Sequence, residues 1–168
     1  GKSNLLDILL IFFAKYLTWV IVIWIVLYIL GKKNWNNSFS NWKNRFQYIA
    51  LGLLGVTLSR GIFANTMARL IESPRPFMAL GFDPLVHHAA VNSFPSGHMT
   101  TLMPIVLTLW LLNKKAGRWA MFVTVLIGIA RIIVGLHWPT DILAGIVIGT
   151  FSFAVINMLF KRRKLFLT

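Results

Sequence analysis

Five apolar segments, of which the third is short, constrain the fold of this chain more than any other feature. They cover residues 5–30, 46–71, about 96–112, 117–136 and 139–160. A helix needs about 20 mainly apolar residues to cross the hydrocarbon core of a bilayer. The sequence therefore predicts an all-α, polytopic membrane bundle with about five transmembrane helices. No repeat or low-complexity tract divides the 168 residues, so we expect a single integral-membrane domain over residues 1–168.

The positions of the basic residues predict how these helices are oriented. The chain has 17 Lys and Arg, 4 acidic residues and a net charge of +13, but 57% of its residues are hydrophobic. In so apolar a chain the basic excess is a topology signal rather than a sign of nucleic-acid binding, and we expect no nucleic-acid partner. Most of the basic residues lie in the first loop, the third loop and the C-terminal tail: Lys32, Lys33, Lys43, Arg45, Lys114, Lys115, Arg118, Lys161, Arg162, Arg163 and Lys164. Because cytoplasmic loops are rich in Lys and Arg, we expect the N-terminus outside and the C-terminus inside the cytoplasm.

The residues that suit catalysis gather at the opposite ends of the predicted helices. Residues 72–98 and 137–141 hold all four histidines and three of the four acidic residues. Ionisable residues at such places in a membrane protein are candidates for a functional site. Cysteine is absent, which excludes a disulfide framework and a thiolate metal site.

Three short motifs lie in this region: SPRPF, FPSGH and RIIVGLHWPTD. Their candidate site residues are Arg75, Ser96, Gly97, His98, Arg131, His137 and Asp141. Arginine side chains bind phosphate oxygens, and a helix that begins at Ser-Gly presents free N–H groups to an anion. One histidine can attack while another donates a proton, and a carboxylate can fix the attacking tautomer. The set therefore suits chemistry on a phosphoryl group.

In order and spacing, the three motifs resemble the signature of the type-2 phosphatidic acid phosphatase superfamily over about residues 46–160. SPRPF followed by HAAVNSFPSGH is most similar to the bacitracin-resistance type of undecaprenyl-pyrophosphate phosphatase. The resemblance implies a lipid phosphatase of the bacterial cell membrane, with an extracytoplasmic active site and no metal or other cofactor. It implies that His137 forms a phosphohistidine, that Asp141 orients it and that His98 protonates the leaving group. The residues that would hold the phosphate are Arg75, Ser96, Gly97 and Arg131.

Two positions depart from the pattern of the superfamily. Its first motif usually has a lysine seven residues before the arginine, where this chain has Ala68, and its third motif usually begins Ser-Arg, where this chain has Ala130 and Arg131. Arg69 is adjacent to Ala68, but one residue turns a helix by about 100°. We expect Arg69 or His88 to contact a second, lipid-linked phosphate.

Four residues inside the apolar segments are also notable. An arginine within a membrane segment indicates a functional residue by default, but the sequence identifies no partner for Arg60. The role of Lys15 is likewise left open by the sequence. The Gly145-x3-Gly149 pair predicts close helix packing within the chain.

The resemblance carried by HAAVNSFPSGH implies undecaprenyl pyrophosphate as the substrate. A pyrophosphate also has a better leaving group than an alkyl phosphate and needs fewer phosphate contacts, which fits the absence of the usual lysine at Ala68. Phosphatidate, phosphatidylglycerol phosphate and lipid A 1-phosphate stay open as alternatives. A serine hydrolase built on Ser96 is disfavoured because Ser96 and His98 are two residues apart and do not face each other on a helix. A metal-dependent phosphatase would have only Asp83 and Asp141 well placed as ligands. A protein that binds or flips a phospholipid is the non-enzymatic alternative, and the sequence does not indicate an oligomeric state.

Overall fold

The computed structural model describes residues 4–31, 42–86 and 92–162, and the regular elements in these ranges are helices. Helix α1 covers Leu5–Gly31 and contains a π-helical segment at Phe12–Tyr16. Helix α2 has three consecutive sections: Trp42–Val56, a π-helical section Thr57–Ala64, and Asn65–Leu70. The remaining helices are α3 (Pro76–Leu80), α4 (Gly97–Leu112), α5 (Lys114–Ile133) and α6 (Pro139–Arg162). The prediction of an all-α fold is confirmed for the described residues.

Among the described residues, four helices are long and apolar enough to cross a membrane. They are α1, α2 over Arg45–Leu70, α5 and α6. Helix α4 is apolar as well, but its 16 residues extend for only about 24 Å at the α-helical rise. The predicted count of five spans and the predicted orientation of the termini therefore stay predictions.

Helix α4 lies at the centre of the bundle, where it packs against α1, α2, α5 and α6. Side chains from several of its faces are fully buried, among them Met99, Leu102, Val106 and Leu109. A helix that is apolar all round is expected in such a position. Helix α1 packs on α4 and α5, whereas α2 packs on α4 and α6. The N-terminus of α4 is consequently surrounded by the ends of its neighbours.

Two glycines let α6 approach α4 closely. A Cβ atom added to Gly145 would lie 2.7 Å from Cβ of Met99 and 2.9 Å from the carbonyl oxygen of Ser96. A Cβ atom added to Gly149 would lie 2.6 Å from Cβ of Met103. Both contacts are within this chain, so the Gly-x3-Gly pair serves the intramolecular packing that the sequence predicts.

Helix α5 is shifted by three residues at each end from the apolar segment 117–136. It begins earlier because the side chain of Asn113 accepts hydrogen bonds from two backbone N–H groups of the first turn, each at 3.0 Å, which is an N-cap. It ends earlier because Gly135 adopts a left-handed conformation with φ of 74°. The resulting turn separates α5 from α6 and carries His137.

Candidate active site

Hydrogen bonds between distant parts of the chain hold the three motifs together. The indole Nε1 of Trp138 donates to the carbonyl oxygen of Pro74 at 2.9 Å, which joins the third motif to the first. The backbone N–H of Ser96 donates to the carbonyl oxygen of Asp141 at 3.0 Å, which joins the second motif to the third. The motifs therefore form one site at one end of the bundle.

A cavity of about 680 Å³ opens beside these motifs. Five of the predicted site residues line it: Arg75, Gly97, His98, Arg131 and His137. The other two, Ser96 and Asp141, lie directly behind this lining and are fully buried, with exposed fractions of 0% and 1%. All seven residues named from the motifs thus come together around a single cavity.

His137 and Asp141 form the carboxylate–imidazole pair of the site. Nδ1 of His137 lies 3.4 Å from Oδ2 of Asp141, which is an ion-pair distance but longer than a good hydrogen bond. The same Oδ2 accepts the backbone N–H of Trp138 at 2.8 Å, and this bond anchors the carboxylate in the first turn of α6. Burial lowers the pKa of His137 below its ordinary value of 6.5, and the charges of Arg131 and Arg75 lower it further, against an opposing effect of Asp141. The imidazole is therefore neutral at pH 7, as a nucleophile must be.

The guanidinium of Arg131 connects the two histidines. Its Nη1 lies 3.2 Å from Nε2 of His98, and its Nη2 lies 3.5 Å from Nε2 of His137. A guanidinium can only donate, so both Nε2 atoms carry a lone pair in this arrangement. For His137 the nearby carboxylate of Asp141 favours the tautomer with the ring proton on Nδ1, which leaves the lone pair on Nε2. Nη1 of Arg131 also donates to the carbonyl oxygen of Ala14 in α1 at 2.7 Å, which fixes the arginine from a third helix.

Two buried arginines leave positive charge and donors unused at this site. Arg75 and Arg131 are only 4% and 2% exposed, and Asp141 is the one buried carboxylate near them within residues 4–31, 42–86 and 92–162. Arg75 donates from Nη1 to the carbonyl oxygen of Leu136 at 2.7 Å. The Nε atoms of both arginines have no hydrogen-bond partner among the described residues. Because an unpaired buried donor is costly, the site is complementary to an anion with several acceptor oxygens.

The N-terminus of α4 adds further donors. Ser96 occupies the N-cap position, but its side chain makes no capping hydrogen bond, and its buried Oγ lacks a partner in the part of the chain that the structure describes. The first N–H groups of a helix have no partner inside the helix, and the helix dipole favours a negative charge there. Gly97 is the first helical residue, so the backbone is open to close approach by an anion.

The other residues predicted for the site lie elsewhere. Arg69 is exposed and does not line the cavity, and Asp83 is exposed in the segment after α3. His88 lies outside the described residues. Lys15 is exposed in α1, where its Nζ is 5.3 Å from the ring centre of Tyr16. The expectation that Arg69 or His88 contacts a second phosphate gains no support from this arrangement.

Arg60 and Asn65 of α2 line the cavity, although neither was assigned to the site from the sequence. An arginine within a membrane segment indicates a functional residue. The periodicity of a regular α-helix, however, does not predict on which face of α2 Arg60 lies. Arg60 lies in the π-helical section Thr57–Ala64. π-Helical sections are rare overall, but those that occur are often found at functional sites. They also change the direction in which side chains project, compared with a regular α-helix.

The fold and the site together define a multi-pass membrane protein with a cavity lined by two buried arginines and two histidines at one end of its helical bundle. The sequence profile of the PAP2 superfamily matches residues 49–165, and the chain belongs to this superfamily. The match covers all three motifs and agrees with the resemblance described above.

Three similar proteins illustrate the range of the superfamily. The chain is 34% identical to the undecaprenyl-diphosphatase BcrC of Bacillus subtilis over 125 residues, which cover 74% of this chain and 61% of the relative. It is 30% identical to a lipid A 1-phosphatase of Rhizobium etli over 141 residues, which cover 78% of this chain and 60% of the relative. The crystal structure of Aquifex aeolicus LpxE has the same fold, with a TM-score of 0.70 at 22% identity over 94% of this chain and 88% of that one. The chain thus spans about three fifths of the length of the first two relatives.

Proposed function

We propose that this protein hydrolyses undecaprenyl pyrophosphate to undecaprenyl phosphate and inorganic phosphate. The observation that carries the phosphatase chemistry is the pair of buried guanidiniums with unpaired donors at the cavity, one of which, that of Arg131, lies beside Nε2 of His137. An anion with a tetrahedral set of oxygens fits such donors, and the facing imidazole is a nucleophile for its phosphorus. The similarity to an undecaprenyl-diphosphatase supports the choice of lipid.

The first chemical step transfers the terminal phosphoryl group to His137. Nε2 attacks the phosphorus, a nitrogen–phosphorus bond forms, and the bond to the bridging oxygen breaks. His98 gives its proton to the leaving lipid monophosphate, and the negative carboxylate of Asp141 balances the positive charge that develops on the attacking imidazole. Arg131 must turn its donors from the two Nε2 atoms to the phosphate oxygens, because His98 can donate from Nε2 only when that atom carries the proton.

The second step releases the phosphate. Water attacks the phosphohistidine, His98 takes a proton from this water, and the nitrogen–phosphorus bond breaks to return His137 and inorganic phosphate. Arg75, Arg131 and the N-terminus of α4 hold the equatorial oxygens in both steps. Preorganised donors of this kind are usually the largest contribution to such catalysis.

The shape of the cavity supports an amphiphilic substrate. Its polar end carries the histidines, and its lining continues to the apolar residues Trp19 and Val22 of α1 and Ile105 of α4. Ile105 lies two turns beyond Gly97 on α4, so the apolar part of the lining is deeper in the bundle than the N-terminus that holds the phosphate. A lipid with its phosphates at the polar end and its chain between α1 and α2 would fit this arrangement.

The leaving group supports a pyrophosphate. Attack on the terminal phosphorus of a pyrophosphate expels a phosphomonoester, which is a more stable anion than an alkoxide. The chain lacks the usual motif-one lysine at Ala68, and a substrate with the better leaving group needs fewer contacts to the transferred phosphate. Such a reaction would take place on the extracytoplasmic face of a bacterial cell membrane, as the charge distribution predicts.

A lipid A 1-phosphatase is the second candidate function, and a similarity of 30% identity to such an enzyme favours it. Kinetics on purified protein in detergent separate the two. We expect kcat/KM for undecaprenyl or farnesyl pyrophosphate to exceed that for lipid A 1-phosphate, phosphatidate and phosphatidylglycerol phosphate. Equal values, or a preference for a monophosphate, would reject pyrophosphate as the substrate but would leave the assignment of phosphatase activity intact. Binding or flipping of these lipids without release of phosphate would reject both enzymes.

A further inference from the structure

We propose that Arg60 binds the lipid-linked phosphate of the substrate and thereby gives the site its preference for pyrophosphates. The inference rests on the proposed function, because a second phosphate exists only in a pyrophosphate. It goes beyond that function by assigning a specificity residue outside the three motifs. The nearest candidate from the sequence was Arg69, which is exposed and outside the cavity lining.

The guanidinium of Arg60 lies across the N-terminus of α4. A Cβ atom added to Gly97 would be 3.0 Å from Nε, 3.1 Å from Cζ and 3.3 Å from Nη2 of Arg60. Gly97 is the residue at which the free N–H groups of α4 begin. The guanidinium of Arg60 therefore lies beside the first residue of α4, on the side where a side chain at Gly97 would project.

Arg60 has more donors than the protein uses. Its Nη1 donates to Oδ1 of Asn65 at 3.2 Å, and this is its one hydrogen bond to the described residues. A guanidinium has five N–H donors, so most of them are available to a ligand in the cavity. Asn65 is itself held by a hydrogen bond from its Nδ2 to the carbonyl oxygen of Gly61 at 3.0 Å, and it acts as a positioning residue for the arginine.

The depth of Arg60 indicates which phosphate it meets. Helices α2 and α4 run antiparallel: Oγ of Ser59 donates to the carbonyl oxygen of Thr100 at 2.7 Å, whereas Gly52 faces Thr108. Arg60 is thus level with the first turn of α4, eight residues deeper along α2 than Ala68, and Ala68 also lines the cavity. Because the lipid chain lies towards the bilayer, the lipid-linked phosphate lies deeper than the terminal phosphate that His137 attacks.

The energetics of a charge in the membrane favour the same role. An arginine within an apolar segment is costly unless it faces a polar cavity or a counter-charge. In the described ranges Arg60 has no acidic partner, and its only hydrogen bond goes to a neutral amide. A phosphate group would supply both the counter-charge and acceptor oxygens for several of the unused donors.

The test compares two substrates in Arg60→Ala, Arg60→Lys and wild-type protein purified in detergent. We expect Arg60→Ala to lower kcat/KM for farnesyl pyrophosphate by about 10- to 100-fold, as for the loss of a hydrogen bond to a charged group. Hydrolysis of phosphatidate, which has one phosphate, and inhibition by orthovanadate should change by less than about threefold, and Arg60→Lys should restore part of the pyrophosphate activity. The unchanged monophosphate activity is the folding control within the same variant. Arg118→Ala is the matched control, because it removes an exposed guanidinium from α5 at the other end of the bundle.

Each other outcome is informative. An equal loss on both substrates would overturn the proposal, since Arg60 would then act on the transferred phosphate or on folding. No loss on either substrate would overturn it as well, and a selective loss in Arg69→Ala would transfer the role to that residue. A wild-type protein that hydrolyses monophosphate lipids alone would reject the pyrophosphate function itself. A wild-type protein without phosphatase activity would reject the catalytic assignment.

Discussion

Nδ1 of His137 lies 3.4 Å from Oδ2 of Asp141, four residues later in the chain, and both side chains are almost completely buried. The turn that ends α5 carries the histidine, and the first turn of α6 carries the aspartate. Oδ1 of Asp141 has no hydrogen-bond partner among the described residues. The carboxylate therefore has spare capacity to stabilise the imidazole when it becomes positively charged.

Removal of either member of this pair should abolish turnover or reduce it strongly. We expect no measurable hydrolysis by His137→Ala, because it lacks the nucleophile. Asp141→Asn should retain the fold but lose as much as about 10⁴-fold in kcat, as in a comparable histidine–aspartate pair where the tautomer is lost. Acid-labile incorporation of radioactive phosphate into wild-type protein, and its absence in His137→Ala, is the measurement. Substantial turnover by His137→Ala would show that another group attacks.

The pH dependence of kcat/KM should report the ionisation of His137. Burial and the charges of Arg131 and Arg75 lower the pKa of this histidine from 6.5. The neutral form attacks, so activity is fully present above the lowered pKa and is lost as the pH falls through it. The acid limb of the profile should therefore lie below pH 6.5. Asp141 opposes the shift, so residual activity in Asp141→Asn should have its acid limb at still lower pH; a limb that moves upward would contradict the assignment.

Much of this site could be predicted from the sequence because its residues lie in short motifs at the ends of predicted helices. Arg75, His98 and His137 each lie at the end of a predicted helix, where apolar periodicity stops and a proline or glycine follows or precedes. Helix ends at one membrane face must lie near one another, so the three motifs could be placed together without knowing the packing. The hydrogen bonds that join them confirm this proximity.

The rest depended on packing that no local pattern encodes. The contact of Arg131 with the carbonyl oxygen of Ala14 joins residues 117 positions apart, through a π-helical segment of α1. The direction of Arg60 depends on the π-helical section of α2, because each π turn takes more residues than an α turn and rotates the following residues. Apolar periodicity therefore predicted the helices but could not predict the direction in which the side chain of Arg60 projects.

A methyl group at Gly97 should damage activity more than stability. Its nearest neighbours would be the guanidinium atoms of Arg60, the far end of a flexible side chain that can move aside. Alanine also loses less conformational freedom than glycine on folding. We expect Gly97→Ala to melt at an unchanged or slightly higher temperature in detergent, with kcat/KM reduced about tenfold or more, as for the loss of one hydrogen bond to a charged group. Gly31→Ala, where a Cβ atom meets nothing within 4 Å, is the control that should change neither quantity.

Catalysis should be independent of divalent metal ions. The arginines and the N-terminus of α4 supply the positive charge that a metal would otherwise provide. We expect full activity after dialysis against EDTA and inhibition by orthovanadate, which can form a five-coordinate adduct with Nε2 of His137. His137→Ala should lose vanadate binding, which links the inhibitor to the nucleophile. Loss of activity in EDTA that Mg²⁺ restores would favour the metal-dependent alternative.

The orientation of the bundle can be tested with single cysteines, because these 168 residues contain none. Ala79 is exposed in α3, on the face that carries the site, and Lys115 is exposed at the start of α5, on the face predicted to be cytoplasmic. The distribution of Lys and Arg predicts that Ala79→Cys reacts with a membrane-impermeant maleimide in intact cells, whereas Lys115→Cys reacts only after the membrane is permeabilised. Phosphatase activity of each variant serves as the control for folding. The opposite labelling pattern would place the active site in the cytoplasm and would exclude a substrate that is hydrolysed on the outer face.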